Sequence, residues 1–215
     1  MTMSSIVDPL VLAILVLNFV LLGTSRVSAA IDGSALQGVL LGFIAIFVHG
    51  HLDGRAVAVA AIAMFIKGVL IPGMLRRALR DAAIRREVEP LVSYMTSLVL
   101  GALATAGAIF FASYLPLAPE HVGSLLVPGS LATLLTGFII LTTRRKAITQ
   151  VVGYLVLENG IFIMGLTLHE AMPFLVELGV LLDLLVAIFV IGIVINHISR
   201  EFGSLDVTEL EKLKD

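Results

Sequence analysis

Seven apolar stretches dominate the chain and leave it almost no choice of solvent. They run over Val7–Thr24, Ser34–Gly50, Arg55–Leu75, Leu91–Leu115, Leu125–Thr143, Thr149–Leu168 and Pro173–Asn196, separated by short breaks that carry Gly, Pro or charge. A helix rises 1.5 Å per residue, so about 20 apolar residues cross a hydrocarbon core about 30 Å thick. Composition agrees: 59% of the 215 residues are hydrophobic and 14% are charged, where a water-soluble domain carries about 25% charge. The mean hydropathy is +1.07. A membrane barrel would need segments of about 10 residues that alternate apolar and polar, and no stretch alternates. The expected fold is all-α, a polytopic membrane protein of about seven transmembrane helices.

Val27-Ser28-Ala29-Ala30, just after the first stretch, has the small residues of a signal-peptidase site. No Lys or Arg precedes Arg26, however, and the apolar run is longer than a usual signal core, so it is expected to remain as the first helix. Twelve of the fourteen Lys and Arg fall on one side of such a bundle. They are Arg26, the cluster Arg76, Arg77, Arg80, Arg85 and Arg86, the run Arg144-Arg145-Lys146, and Arg200, Lys212 and Lys214. Positive residues collect in cytoplasmic loops, which predicts the N-terminus outside and the C-terminus inside. Ser93, Ser97, Gly101 and Thr105 recur every four residues in the fourth stretch, a small-residue stripe suited to close helix packing in lipid.

Ionisable side chains inside membrane helices cost roughly 2.5–3.5 kcal/mol each on insertion scales and are functional candidates by default. Four occur here: Lys67, Glu158, Glu177 and Asp183. Glu158 lies twelve residues past Lys146 and ten before Leu168, near mid-depth; Asp183 lies ten past Pro173. Their stretches are joined by a short loop, so the two carboxyls are expected at similar depth, where they could share a pocket that takes up and releases protons. The bland alternative is a pair of neutral acids that fasten helices together. Glu177 is nearer the outer end, either an interfacial acid or a proton exit. Lys67 either snorkels toward the headgroups or pairs with a carboxylate, and Pro72 is expected to loosen the helix beside it.

Composition also excludes several functions. With no cysteine, the chain has no thiolate for an iron–sulfur cluster. A net charge of −2 lacks the basic face of a nucleic-acid binder. His49-Gly50-His51-Leu52-Asp53, His121 and His169 read as polar loop residues, so no metal, haem or other cofactor site is expected. No P-loop or nucleophile elbow is present.

Arg144-Arg145-Lys146-Ala147-Ile148, followed by Gly153-Tyr154-Leu155-Val156-Leu157-Glu158-Asn159-Gly160-Ile161, resembles the K-type membrane subunit of respiratory complex I and the C-type subunit of Mrp-like antiporters. In those subunits an arginine pair occupies the inner loop and a glutamate lies halfway along the next helix. With four further helices before it, the whole chain is similar to the hydrogenase-4 component E family. The resemblance implies an N-terminal four-helix region (1–120), a three-helix K-like module (121–200) and a cytoplasmic tail (201–215). It implies a non-catalytic membrane-arm subunit of a complex I-related hydrogenase in a bacterial or archaeal inner membrane. Its partners would be antiporter-like and complex I-like membrane subunits and, through them, a soluble hydrogenase arm. Glu158 and Asp183 would be links in a proton or sodium path, with Lys67 and Glu177 as extensions. The alternatives are a subunit of a cation/proton antiporter, a small independent transporter, and a structural spacer.

Overall fold

The computed structural model describes residues 4–48, 54–81, 90–116 and 123–168, and its described elements are all helices. They are α1 (Ser4–Gly23), α2 (Val27–Val48), α3 (Gly54–Phe65), a π-helical turn (Ile66–Leu70), α4 (Ile71–Asp81), α5 (Tyr94–Ala112), α6 (Leu126–Thr143) and α7 (Ala147–Leu168). Five of these, α1, α2, α5, α6 and α7, are long and apolar enough to cross a bilayer, as expected for a multi-pass membrane protein. The third apolar stretch is divided by the π turn, and the seventh lies outside the described residues, as do the tail and the histidines.

Three boundaries differ from the sequence reading. The third stretch, expected to end at Leu75, continues as helix to Asp81 and carries Arg76, Arg77 and Arg80. The second helix begins at Val27, seven residues before the expected Ser34. Thr24 Oγ1 accepts the Arg26 N–H at 3.2 Å and turns the chain, and nothing from Ser28 to Ile31 resists a helix. Asp32, whose charge argued for a loop, is tolerated because it is exposed and paired with Arg76, 2.6 Å away. The fourth begins at Tyr94, with Ser93 as its cap accepting from Thr96 N–H at 3.1 Å. Ser93 therefore leaves the packing stripe, while Ser97 and Gly101 are buried in it.

Pro72 explains the π turn. It has no N–H for the Gly68 carbonyl and its ring crowds that carbonyl, so the preceding turn widens and Ile71 N–H bonds five residues back to Ile66 O. The distortion expected near Pro72 thus falls one turn before it, on the segment that carries Lys67.

Helices α6 and α7 pack backbone to backbone. A Cβ on Gly137 would collide with the backbone N of Leu157, and one on Gly160 with that of Leu134. The contact fixes their register, Leu134 beside Gly160 and Gly137 beside Leu157. α5 meets α1 where Gly101 leaves room for Leu22. Outward faces, such as Leu12, Val16 and Val20 on α1 and Met95, Val99 and Leu103 on α5, are exposed and apolar, as lipid contact requires.

The interior is layered along the bundle axis. One apolar cluster, with Leu21, Leu22, Ile31, Leu75, Ile140, Val152 and Val156, lies at the end that carries Arg144. A second, with Val7, Val11, Ile14, Leu41, Ile44, Leu126 and Ile163, lies toward the other end. Between them on four helices fall the buried polar residues Asn18, Gln37, Thr133, Thr136, Glu158 and Asn159.

Candidate functional site

Glu158 lies at the middle of α7, eleven residues after Ala147 and ten before Leu168, with 2% of its surface exposed. Lys67 Nζ reaches Glu158 Oε1 at 2.6 Å and donates to Asn159 Oδ1 at 3.5 Å. The ammonium also lies 5.3 Å from the centroid of the Phe162 ring, close enough for a cation–π attraction. Of the two readings of Lys67, snorkel or ion pair, the structure adopts the second.

Local structure builds this pair. Rotation of the helix through the π turn brings Lys67 against α2, where the stem meets Gly38: a Cβ on Gly38 would sit 2.6 Å from Lys67 Cβ. One residue along, a Cβ on Gly68 would sit 2.6 Å from Val39 Cγ2. Two glycines facing each other's helices let the lysine segment lie flat on α2. Single-turn π segments inside α-helices are frequent at functional sites, and this one aims a charge. A buried charge needs a partner and further hydrogen bonds. Lys67 has both, whereas Glu158 Oε2 is buried with no hydrogen-bond partner among the described residues.

A second polar cluster lies in the same layer. Gln37 Nε2 donates to Asn18 Oδ1 at 2.7 Å and weakly to Ile14 O at 3.4 Å. Asn18 Nδ2 donates to Thr133 Oγ1 at 2.9 Å, and Thr133 Oγ1 donates to Gly129 O at 2.8 Å. The chain of bonds ties α2 to α1 and α1 to α6. Gln37 Oε1 and Thr136 Oγ1 are buried without partners among the described residues. Sequence reasoning missed this cluster because it screened for ionisable groups. The signal was present as uncharged amides, Asn18 and Gln37, within apolar runs.

Arg144 lies in the expected loop, between α6 and α7, yet it is 2% exposed, a burial that the sequence did not indicate. The α1 helix ends at Gly23, leaving its last carbonyls without helical partners. Arg144 Nη2 donates to one of them, Leu22 O, at 2.8 Å, and Nη1 to Ser97 Oγ at 3.4 Å. Its guanidinium also lies 4.6 Å from the centroid of the Tyr94 ring. One side chain thus closes α1, α5 and α6 together. At the opposite end Asp8 Oδ1 accepts from Leu125 N–H at 3.0 Å and Ser124 Oγ at 3.3 Å, satisfying a free amide at the start of α6.

Among the sequence-predicted residues, Lys67 and Glu158 are brought together. Glu177 and Asp183 lie outside the described residues, so the expected carboxylate pair carries no geometry. The arrangement that is described is an ion pair between a buried carboxylate and a part-buried ammonium held on a flexible stem.

No family model matches the chain, and no solved structure matches it. It is 29% identical over 157 residues to the hydrogenase-4 component E of Escherichia coli K12, which covers 72% of each chain. The same identity and coverage hold for the hydrogenase-4 component E of Shigella flexneri. That is a distant homology. A stronger match, 35% identity over 185 residues, is to the uncharacterized protein Rv0085 of Mycobacterium tuberculosis, spanning 84% of this chain and 83% of that one. With most of both chains aligned at this identity, the protein belongs to the family of Mycobacterium tuberculosis Rv0085.

Proposed function

We propose that the protein is a membrane subunit of a hydrogenase-4-type complex, and that Lys67 and Glu158 form one link of an ion path through its membrane arm. The observation that carries this reading is the buried ion pair itself. Taking the Glu158 carboxylate out of water, with most of Lys67 beside it, costs several kcal/mol, and an ion pair inside an apolar bundle is a poor way merely to fasten helices. A proton arriving at Glu158 neutralises the carboxylate and releases the ammonium; its departure restores the pair. This exchange needs no cofactor in the chain, and electrons would pass through other subunits. The distant likeness to hydrogenase-4 component E supports the choice of complex. The K-like module implied by the Arg144 loop and the mid-helix Glu158, together with Asp183 and Glu177 as further links, belongs to the same reading. So does an inner-membrane orientation with the arginine-bearing ends toward the cytoplasm.

Substitution of Glu158 by Gln in the assembled complex tests the role. The expected result is retained assembly with ion translocation reduced at least tenfold. Full translocation by the assembled variant overturns the role, and copurification of the chain with antiporter subunits alone, without a hydrogenase large subunit, overturns the choice of complex.

A further inference from the structure

The hydrogen bonds of the second polar cluster fix the orientation of Gln37. Gly129 O only accepts, so the single Thr133 hydroxyl hydrogen is spent on it. Thr133 must then accept from Asn18, which presents its NH2 group to Thr133 and its oxygen to Gln37. Gln37 therefore turns its own NH2 group toward Asn18, an orientation that its bond to the acceptor Ile14 O requires independently. What remains is Gln37 Oε1, an acceptor on a fully buried side chain, with no donor among the described residues. Leaving such a group unmatched costs about 1–3 kcal/mol.

A candidate donor lies on the π turn packed against the same helix. Gln37 is next to Gly38, against which the Lys67 stem begins, and both residues fall in the layer between the two apolar clusters. We propose that Gln37 Oε1 is a second resting place for the Lys67 ammonium, occupied when Glu158 is neutral. An ammonium deprived of its carboxylate still needs charge-assisted hydrogen bonds in a dry interior. Lys67 has several rotatable bonds with which to swing from one oxygen to another. Among the described residues, α1, α2, α6 and α7 bring no other charged side chain into this layer. Asp32 on α2 is exposed and paired with Arg76, and Arg144 lies at the end of the bundle. Gln37 is then a positioning residue that acts through Lys67. For its use the second position rests on the ion-path reading above; its existence is read from a contact, without any transport.

The experiment is solid-state NMR on the full chain in lipid bilayers, with ¹⁵N-lysine and ¹³Cδ-glutamine, comparing the native sequence with Glu158→Gln. An ammonium hydrogen-bonded to an amide oxygen lies about 4 Å from the amide carbon. The expected result is an Nζ to Cδ contact at that distance in Glu158→Gln, weak or missing in the native chain, and lost when Gln37→Leu is added. A Lys67 Nζ contact that survives Gln37→Leu belongs to the introduced amide and overturns the proposal. So does no contact at all in a variant with native helical signals. Where Glu158→Gln fails to fold, Glu158→Met is read in its place against the same two outcomes. Normal ion translocation by Glu158→Gln in the assembled complex would sink the ion-path reading and leave this contact measurement standing.

Discussion

Replacing Lys67 by Met strips the cation from a carboxylate that the bundle has already removed from water. At 2.6 Å and an effective dielectric of about 20, the attraction lost is about 6 kcal/mol. Part of it is returned, because the ammonium no longer has to be desolvated. Breaking a buried pair from one side costs about 3–5 kcal/mol in practice. Removing both charges, with Lys67→Met and Glu158→Gln together, leaves two neutral groups of similar volume, and such replacements are often close to neutral. The double variant should therefore be more stable than Lys67→Met alone by about 2–4 kcal/mol. Glu158→Gln alone should cost less than Lys67→Met, since the ammonium still has neutral oxygens to bind, Asn159 Oδ1 or, on the proposal above, Gln37 Oε1. The assay is equilibrium unfolding of the full chain in mixed micelles, followed by circular dichroism across the four-member cycle. Because about 1.4 kcal/mol is a factor of ten in the equilibrium constant, the coupling is well within reach. A double variant as unstable as the sum of the two singles would mean that the charges do not interact, and the site would be refuted.

Other substitutions probe the frame that holds the pair. Gly137→Ala places a methyl group into the backbone of α7; it should cost about 3 kcal/mol or more by the same unfolding assay, at or beyond the upper range for overpacking. Arg144→Lys keeps the charge but loses the planar fork between Leu22 O, Ser97 and the Tyr94 ring. A loss of about 1–3 kcal/mol is expected, read as a lower melting temperature in detergent. Asp8→Ala removes the acceptor for Leu125 N–H and should cost about 0.5–2 kcal/mol, the range for a helix cap. Faster backbone amide exchange at the start of α6 would report that loss.

Legibility from sequence followed the physics of each feature. Apolar length and composition are local properties, so the ends of α6 are predicted to within one residue and those of α1 and α7 to within three. Asp32 misled the start of α2 because an exposed acid at a helix end looks, in sequence, like a loop, and its partner Arg76 is 44 positions away. Glu158 stood out because a charge in an apolar run is conspicuous by itself. Its pairing with Lys67 was open, since nothing local to Lys67 says whether its stem points to the membrane surface or inward. That choice is made by the π turn and by Gly38 on another helix. Burial of Arg144 and the amide cluster around Gln37 depend likewise on contacts between helices distant in the chain, which no periodicity records.

The layering of the interior has an electrical consequence. Charges that move along the bundle axis cross the membrane potential, worth about 2.3 kcal/mol per elementary charge per 100 mV. The Lys67–Glu158 pair lies with Gln37 between two apolar clusters, so displacement of the ammonium within that layer runs across the field rather than along it. Such a step is nearly silent to voltage. The proposed swing of the ammonium would thus be independent of how strongly the membrane is energised.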